Sequence, residues 1–294
     1  MRILIVGGDG MLGHQLLLHL QNKHEVKVTL RQDLPVYKNY GLFSRENSYA
    51  GIDVRNMADL TAVMADFRPE AVVNAVGVIK QRAAAKEVIP SLEINSLFPH
   101  RLALLCKAAS SRMIHLSTDC VFSGKKGNYS ESDRSDAEDI YGQSKYLGEV
   151  VDAHCVTLRT SIIGLELSRK TALIEWFLAQ RGHIKGFTRA IYTGLTTLEM
   201  SRLIEKILLR HPELSGVFHV SSMPINKYDL LNLFAKLLHR DDVQILPDDN
   251  FFCDRSLLCE NFRQLTGYQA PSWQEMLSEL VTQVQTRESE ILCY

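Results

Sequence analysis

No stretch of these 294 residues approaches the roughly 18 consecutive apolar residues that a membrane-spanning helix needs. The apolar opening Ile3-Leu4-Ile5-Val6 runs straight into glycines and is too short for a signal-peptide core, so the chain is expected to stay in the cytoplasm. Excess charge is missing as well: Lys+Arg 33 against Asp+Glu 34 leave a formal net charge of -1. Whole-molecule electrostatics therefore point to neither nucleic acid nor an anionic membrane as partner, and any phosphate must be held by a local site. The six cysteines (Cys106, Cys120, Cys155, Cys253, Cys259, Cys293) form no CxxC pair and have no histidine at metal spacing, which indicates neither a disulfide framework nor a metal site. Repeats, low-complexity tracts and long linkers are also lacking. With 46% hydrophobic and 23% charged residues, the chain has the composition of a globular protein with one large or two modest cores.

Short β-branched runs alternate with amphipathic stretches through the first half. Ile3–Val6, Glu25–Leu30, Ala71–Asn74 and Met113–Leu116 read as strands, with helices over Met11–Gln21, Met57–Phe67 and Ile94–Ala109. This alternation predicts βαβ units and a parallel sheet, completed by strands at Val156–Leu158 and Gly216–Val220. A polar loop from Ser123 to Asp139 precedes a helix starting near Ile140. Later helices are expected over Leu173–Arg181, Leu198–Arg210, Lys227–His239 and Ser272–Val284.

Directly after the first strand stands Gly7-Gly8-Asp9-Gly10-Met11-Leu12-Gly13, a GxxGxxG turn at a strand-to-helix junction. Glycine there permits a tight turn, close approach of backbone N–H groups to a pyrophosphate, and close packing of helix on strand, while the helix N-terminus adds partial positive charge. At the end of the second strand an acid would hold a ribose 2′-hydroxyl, whereas Arg31 suits a 2′-phosphate and favours NADP(H) over NAD(H); Asp33 lies close by. Asp53, at the end of a short strand over residues 51–54, is placed to accept from an adenine amino group.

Tyr141 and Lys145 form YxxxK, which puts phenol and ammonium on one helical face, where the cation is expected to lower the phenol pKa. Upstream, Ser117-Thr118-Asp119 delivers a hydroxyl at the carboxyl end of a strand, where open α/β sheets bind ligands. Together these residues predict a carbonyl held by Thr118 and Tyr141 beside a nicotinamide.

The glycine turn, Asp53, Asn74-Ala75, Ser117-Thr118-Asp119-x-Val121-Phe122-x-Gly124, Tyr129-Ser130-Glu131-x-Asp133 and Tyr141-Gly142-x-Ser144-Lys145-x-x-Gly148-Glu149 resemble the extended short-chain dehydrogenases/reductases, and among them most closely the dTDP-4-dehydrorhamnose reductase family. The motifs cover roughly residues 1–165. The resemblance implies an α/β, Rossmann-type, doubly wound parallel sheet over residues 1–164, with sheet contributions from 190–220, and a smaller α/β substrate lobe over 165–294. It further implies NADPH-dependent reduction of the C4 ketone of a nucleotide-linked 4-keto-6-deoxy sugar, in deoxysugar and surface polysaccharide biosynthesis. Tyr141 would donate the proton, Lys145 hold the ribose, Thr118 orient the carbonyl, and a homodimer would pack through the Tyr141 helix. Gly7, Gly10, Met11, Leu12, Gly13, Arg31, Asp53, Asn74, Ala75, Tyr141 and Lys145 would contact the cofactor.

Cys120 stands where related 4,6-dehydratases carry a catalytic glutamate, which argues against dehydratase chemistry. In related epimerase-reductases a cysteine holds this place and acts with a histidine, but the corresponding position here reads Leu165-Glu166. An epimerase-reductase using Cys120 and an inert thiol both stay open. A further alternative is a non-catalytic, cofactor-binding subunit, because the regulatory subunit of methionine adenosyltransferase shares the resemblance. Thr118, Asp119, Cys120, Lys80 and Arg255 are the substrate-side candidates, with Arg82 beside Lys80. Tyr192 is expected at the substrate edge. Trp176 and Phe187 fit a core role better than stacking on a base, and the ten histidines fit packing or surface roles.

Overall fold

The computed structural model describes residues 1–78 and 87–292, with side chains as far as Ser289. Lys80, Arg82 and Cys293 lie outside the described residues. In chain order the first half runs β1 (Arg2–Val6), α1 (Met11–Leu20), β2 (Glu25–Thr29), β3 (Ser48–Tyr49), α2 (Met57–Phe67), β4 (Ala71–Asn74), α3 (Val88–Ser91), a π-helical stretch (Leu92–Leu97), α4 (Phe98–Ala108), β5 (Arg112–Leu116), α5 (Ile140–Leu147) and β6 (Cys155–Arg159). The second half adds β7 (Ile162–Ile163), α6 (Leu173–Leu178), β8 (Gly182–Tyr192), β9 (Leu195–Thr196), α7 (Thr197–Arg210), β10 (Gly216–His219), β11 (Ile225–Asn226), α8 (Lys227–Leu237), β12 (Val243–Asp254), α9 (Glu260–Thr266) and α10 (Trp273–Leu292).

Seven strands form one parallel sheet in the order β10-β6-β5-β4-β1-β2-β3. The chain moves outward from β1 through β2 to β3, then returns to the other side of β1 with β4. The switch point therefore lies between β1 and β4, and the loops after those strands frame the crevice where doubly wound sheets take ligands. Both faces are covered, as a parallel sheet requires: within β1, Ile3 and Ile5 enter one apolar core while Leu4 and Val6 enter the other. The first of these cores continues through α7 and α8 to Met276, Leu277 and Leu280 of α10, so the C-terminal helix packs into the same apolar mass as the first strand.

A three-stranded sheet, β11-β8-β12, and the β7-β9 pair stand apart from the large sheet. Neither β8, β12 nor α9 was expected from the sequence. Helical structure before β5 also begins earlier than expected, at Val88 rather than Ile94, and α6 stops at Leu178. Asp53 does not end a strand, because β3 closes at Tyr49 and residues 52–53 are irregular. Among the described residues no helix is long and apolar enough to cross a membrane.

Candidate active site

The turn after β1 is built backbone against backbone. Gly7 has φ +92, a conformation side chains rarely adopt, and a Cβ there would meet Val76 Cγ2 at 2.7 Å, so the loop after β4 closes directly onto it. A Cβ on Gly13 would collide with the Gly7 carbonyl oxygen. Gly10 donates to that carbonyl at 3.2 Å and precedes α1 as its N-cap. The N–H groups of Met11, Leu12 and Gly13 open the helix without intrahelical acceptors. A narrow cradle floored by glycine and ending in helix N–H groups suits a pyrophosphate, so the residues present fit a dinucleotide. Asn74 and Ala75 lie across the switch point: the Ala75 N–H donates to the Val6 carbonyl, and the Asn74 amide meets His115 Nδ1 at 3.1 Å. Sequence reasoning missed Tyr37, whose phenol donates to Asp9 and accepts from the Gln32 N–H, both at 3.1 Å, tying the turn to the chain after β2. Burial pushes that phenol up to about 12.

At the proposed ribose end Arg31 is exposed just past β2, and its charge is felt at Asp53. Arg55 grips Asp53, with Nε 3.0 Å from Oδ1 and Nη2 2.5 Å from Oδ2, and this pair holds the carboxyl down at about 2. The acceptor expected for an adenine amino group is thus an ion-paired carboxylate, and the missed partner stands only two residues on.

The chemistry-bearing residues meet at the carboxyl end of β5. The Thr118 hydroxyl accepts from the Cys120 N–H and donates to Asp119, both at 3.1 Å, capping a single 3-10 turn over Asp119–Val121. This hydroxyl acts on the Tyr141 phenol as well, against the rise that burial causes. Asp139 caps α5 through the Gly142 N–H, and a Cβ on Gly142 would strike the Cys120 carbonyl, so the start of α5 is pressed onto this turn. Lys145 is buried and donates to the Leu116 carbonyl at 2.6 Å.

The electrostatics correct one expectation. Burial raises the Tyr141 phenol above its ordinary value, and the charges of Cys120 and Asp119 add to this against a smaller opposing effect of the Thr118 hydroxyl. The phenol is therefore kept protonated. Burial also lowers Lys145, to about 8, against the pull of Glu149. Desolvation penalises whichever form is charged and moves acid and base in opposite directions. His115, on the floor between Asn74 and Lys145, is held neutral by burial first and by Lys145 second, with a partnerless Nε2.

On the substrate side the Arg255 guanidinium lies among Asp119, Cys120 and Asp139, donating to the Phe122 carbonyl at 2.7 Å and the Ser123 carbonyl at 3.3 Å. This candidate phosphate ligand is thus a half-buried clasp on two backbone carbonyls and not a solvated surface charge. Burial raises Asp119, which Cys120 hydrogen-bonds and which Arg255 and Lys227 oppose. Glu166, standing where a histidine would complete an acid–base pair with Cys120, instead accepts the Thr171 and Ala172 N–H groups at 2.6 and 2.8 Å. Tyr192 is buried against Trp273, at a ring separation of 5.5 Å, while facing Asp119 and Cys120. Trp176 is exposed rather than core, and Phe187 packs half-buried on Phe251.

A family model described as the RmlD substrate binding domain matches residues 1–286. A dTDP-4-dehydrorhamnose reductase of Aggregatibacter actinomycetemcomitans is 24% identical, over 95% of this chain and 98% of the relative. The methionine adenosyltransferase 2 subunit beta of Danio rerio is 23% identical, over 84% and 75%. Among solved structures, the dTDP-4-dehydrorhamnose reductase of Bacillus anthracis in complex with NADP superposes with a TM-score of 0.78 at 23% identity, covering 96% of this chain and 99% of that one.

Proposed function

Because this chain belongs to the RmlD substrate-binding-domain family and is an oxidoreductase of the extended short-chain dehydrogenase/reductase type, we propose that it reduces the C4 ketone of a nucleotide-linked 4-keto-6-deoxy sugar with NADPH, in the cytoplasm, to supply deoxysugars for surface polysaccharide. The observation that carries this reading is the start of α5, with a half-buried Tyr141 whose phenol is kept protonated, pressed onto the turn that Thr118 caps at the carboxyl end of β5. Tyr141 offers its O–H to a carbonyl oxygen, and Thr118 does so once its own O–H turns from Asp119 to the substrate, which polarises the ketone. As the carbon accepts a hydride, the oxygen gains charge and takes the Tyr141 proton, so C=O becomes CH–OH. The cofactor, when bound, supplies that hydride. Residues 1–164 would hold it through the glycine turn, Arg31, Asn74-Ala75 and Lys145, while 165–294 would supply much of the sugar-nucleotide wall, with Arg255 bracing Asp119 and Cys120.

Glu166 is committed to backbone N–H groups, which favours reduction without epimerisation over the Cys120 epimerase reading. Exposed Leu104, Tyr146 and Leu147 on α4 and α5 give an apolar face that a second copy would cover. The deciding experiment is NADPH oxidation with nucleotide-linked 4-keto-6-deoxy sugars. Wild type should turn over, and Tyr141→Phe should lose about 10²–10⁴-fold in kcat with cofactor affinity kept. Inertness of wild type across a broad panel despite cofactor binding would instead favour the regulatory-subunit reading.

A further inference from the structure

Beneath the site lies a buried ion pair that the reaction as described does not use. Glu149 follows the end of α5, four residues beyond Lys145, and its side chain is 5% exposed. Its Oε1 accepts the Ser117 hydroxyl at 2.7 Å and Arg159 Nε at 2.8 Å, and Oε2 accepts Arg159 Nη2 at 2.7 Å. Ser117 is the residue between Leu116, whose carbonyl takes the Lys145 ammonium, and Thr118. Two adjacent residues at the end of β5 are therefore tied to α5 and the segment after it, one by Lys145 and one by Glu149. Arg159 ends β6, and its Nη1 lies 3.3 Å from His219 Nε2 at the end of β10. Three strand ends are thus joined under the site.

We propose that Glu149, held by Arg159 and Ser117, is a positioning residue for the reduction: it clamps the Leu116–Thr118 strand end to α5 and keeps the Lys145 ammonium charged. This rests on the reading of Tyr141 and Lys145 given above. A buried ion pair of this kind is poor evidence for stability, since two hydrophobic residues often serve as well. Placement beside the buried Lys145 ammonium gives it a different use. Lys145 faces His115 on β5, which is neutral, and Glu149, with Arg159 of β6 behind Glu149; Asp119 and Cys120 act on Tyr141 of the same helix, and His100 of α4 acts on His115. Glu149 is the group that opposes the burial of Lys145, which would otherwise lose its proton at still lower pH.

The test is the pH dependence of NADPH affinity, read by nicotinamide fluorescence without turnover, so that an absence of ketone reduction and a failure of this proposal are separate results. Wild-type affinity should weaken above about pH 8, where Lys145 discharges. In Glu149→Gln that limb should move about one pH unit lower, leaving affinity roughly fivefold weaker than wild type at pH 8. Glu149→Asp should keep the wild-type limb. Should Glu149→Gln fail to fold with Arg159 unpaired, the double variant Glu149→Gln, Arg159→Met removes the stranded charge and should show the same downward shift. A limb that is absent in wild type, or unmoved in whichever variant folds, overturns the proposal, because a merely structural clamp would alter stability and leave the limb in place.

Discussion

On the proposed cofactor side, residues 7–13 pack against themselves and against the loop after β4, with glycine allowing backbone to touch backbone. The proposed substrate side is closed by residues 122–129 meeting 255–258, with hydrogen bonds that span 127 to 133 positions of sequence. Tyr129 is the centre of that second closure. Its N–H donates to the Ser256 carbonyl, its carbonyl accepts from Leu258, its ring stacks on Phe122 at 4.2 Å, and its hydroxyl accepts from the Gly124 and Lys126 N–H groups. One wall is thus set by local sterics and the other by long-range pairing. The first should tolerate almost no added volume, and the second should fail gradually as bonds are removed.

Gly13→Ala puts a methyl into the Gly7 carbonyl and should have the largest effect, about 3 kcal/mol of stability with loss of measurable NADP(H) binding, checked by thermal melts and fluorescence titration. Near-native behaviour would show that the turn yields and would break the contrast. Tyr129→Phe removes the acceptor of two backbone N–H groups and should cost about 1–2 kcal/mol. Steady-state kinetics should then show a higher KM for the keto sugar with KM for NADPH unchanged, and equal changes in both would mean that the two walls are not independent. Arg31→Ala should weaken NADPH about tenfold and leave NADH alone, one charge-assisted hydrogen bond being worth about that much; equal weakening of both would remove Arg31 from the 2′-phosphate.

The smallest effect concerns the tether of α1 to α7. Burial works against ionisation of Glu205, yet hydrogen bonds from Lys23 and His19 hold its carboxyl below the ordinary value of 4.5. The stability this gives is present above that value and is lost as pH falls through the folded-state pKa. Acid melts of Glu205→Gln should therefore be shallower than those of wild type below about pH 4.5, and parallel curves would refute the contribution.

Much of the nucleotide-binding half was readable because its signals are local. Helix α2 begins and ends as its apolar period requires, α5 starts at Ile140 behind its Asp139 cap, and the buried strands are short β-branched runs. β8 and β12 were not readable: Gly186, Lys185 and Arg189 interrupt one, Pro247 and three aspartates interrupt the other, and each becomes a strand by pairing with its distant neighbour. Thr118, Tyr141 and Lys145 were singled out by strand-end position and helical spacing, whereas the bonds of Glu149 to Arg159 and Ser117 were not, since these side chains come from three separate parts of the chain.

By itself the sequence determined the glycine turn, the strand-end hydroxyl and the phenol and ammonium on one helical face, because each follows from backbone sterics or helical spacing over a few residues. Only the tertiary structure decided how those groups are charged. It raised Tyr141, lowered Lys145, neutralised His115 and paired Asp53. The loss of water around a group depends on everything packed within a few ångströms of it, from whatever part of the chain it comes.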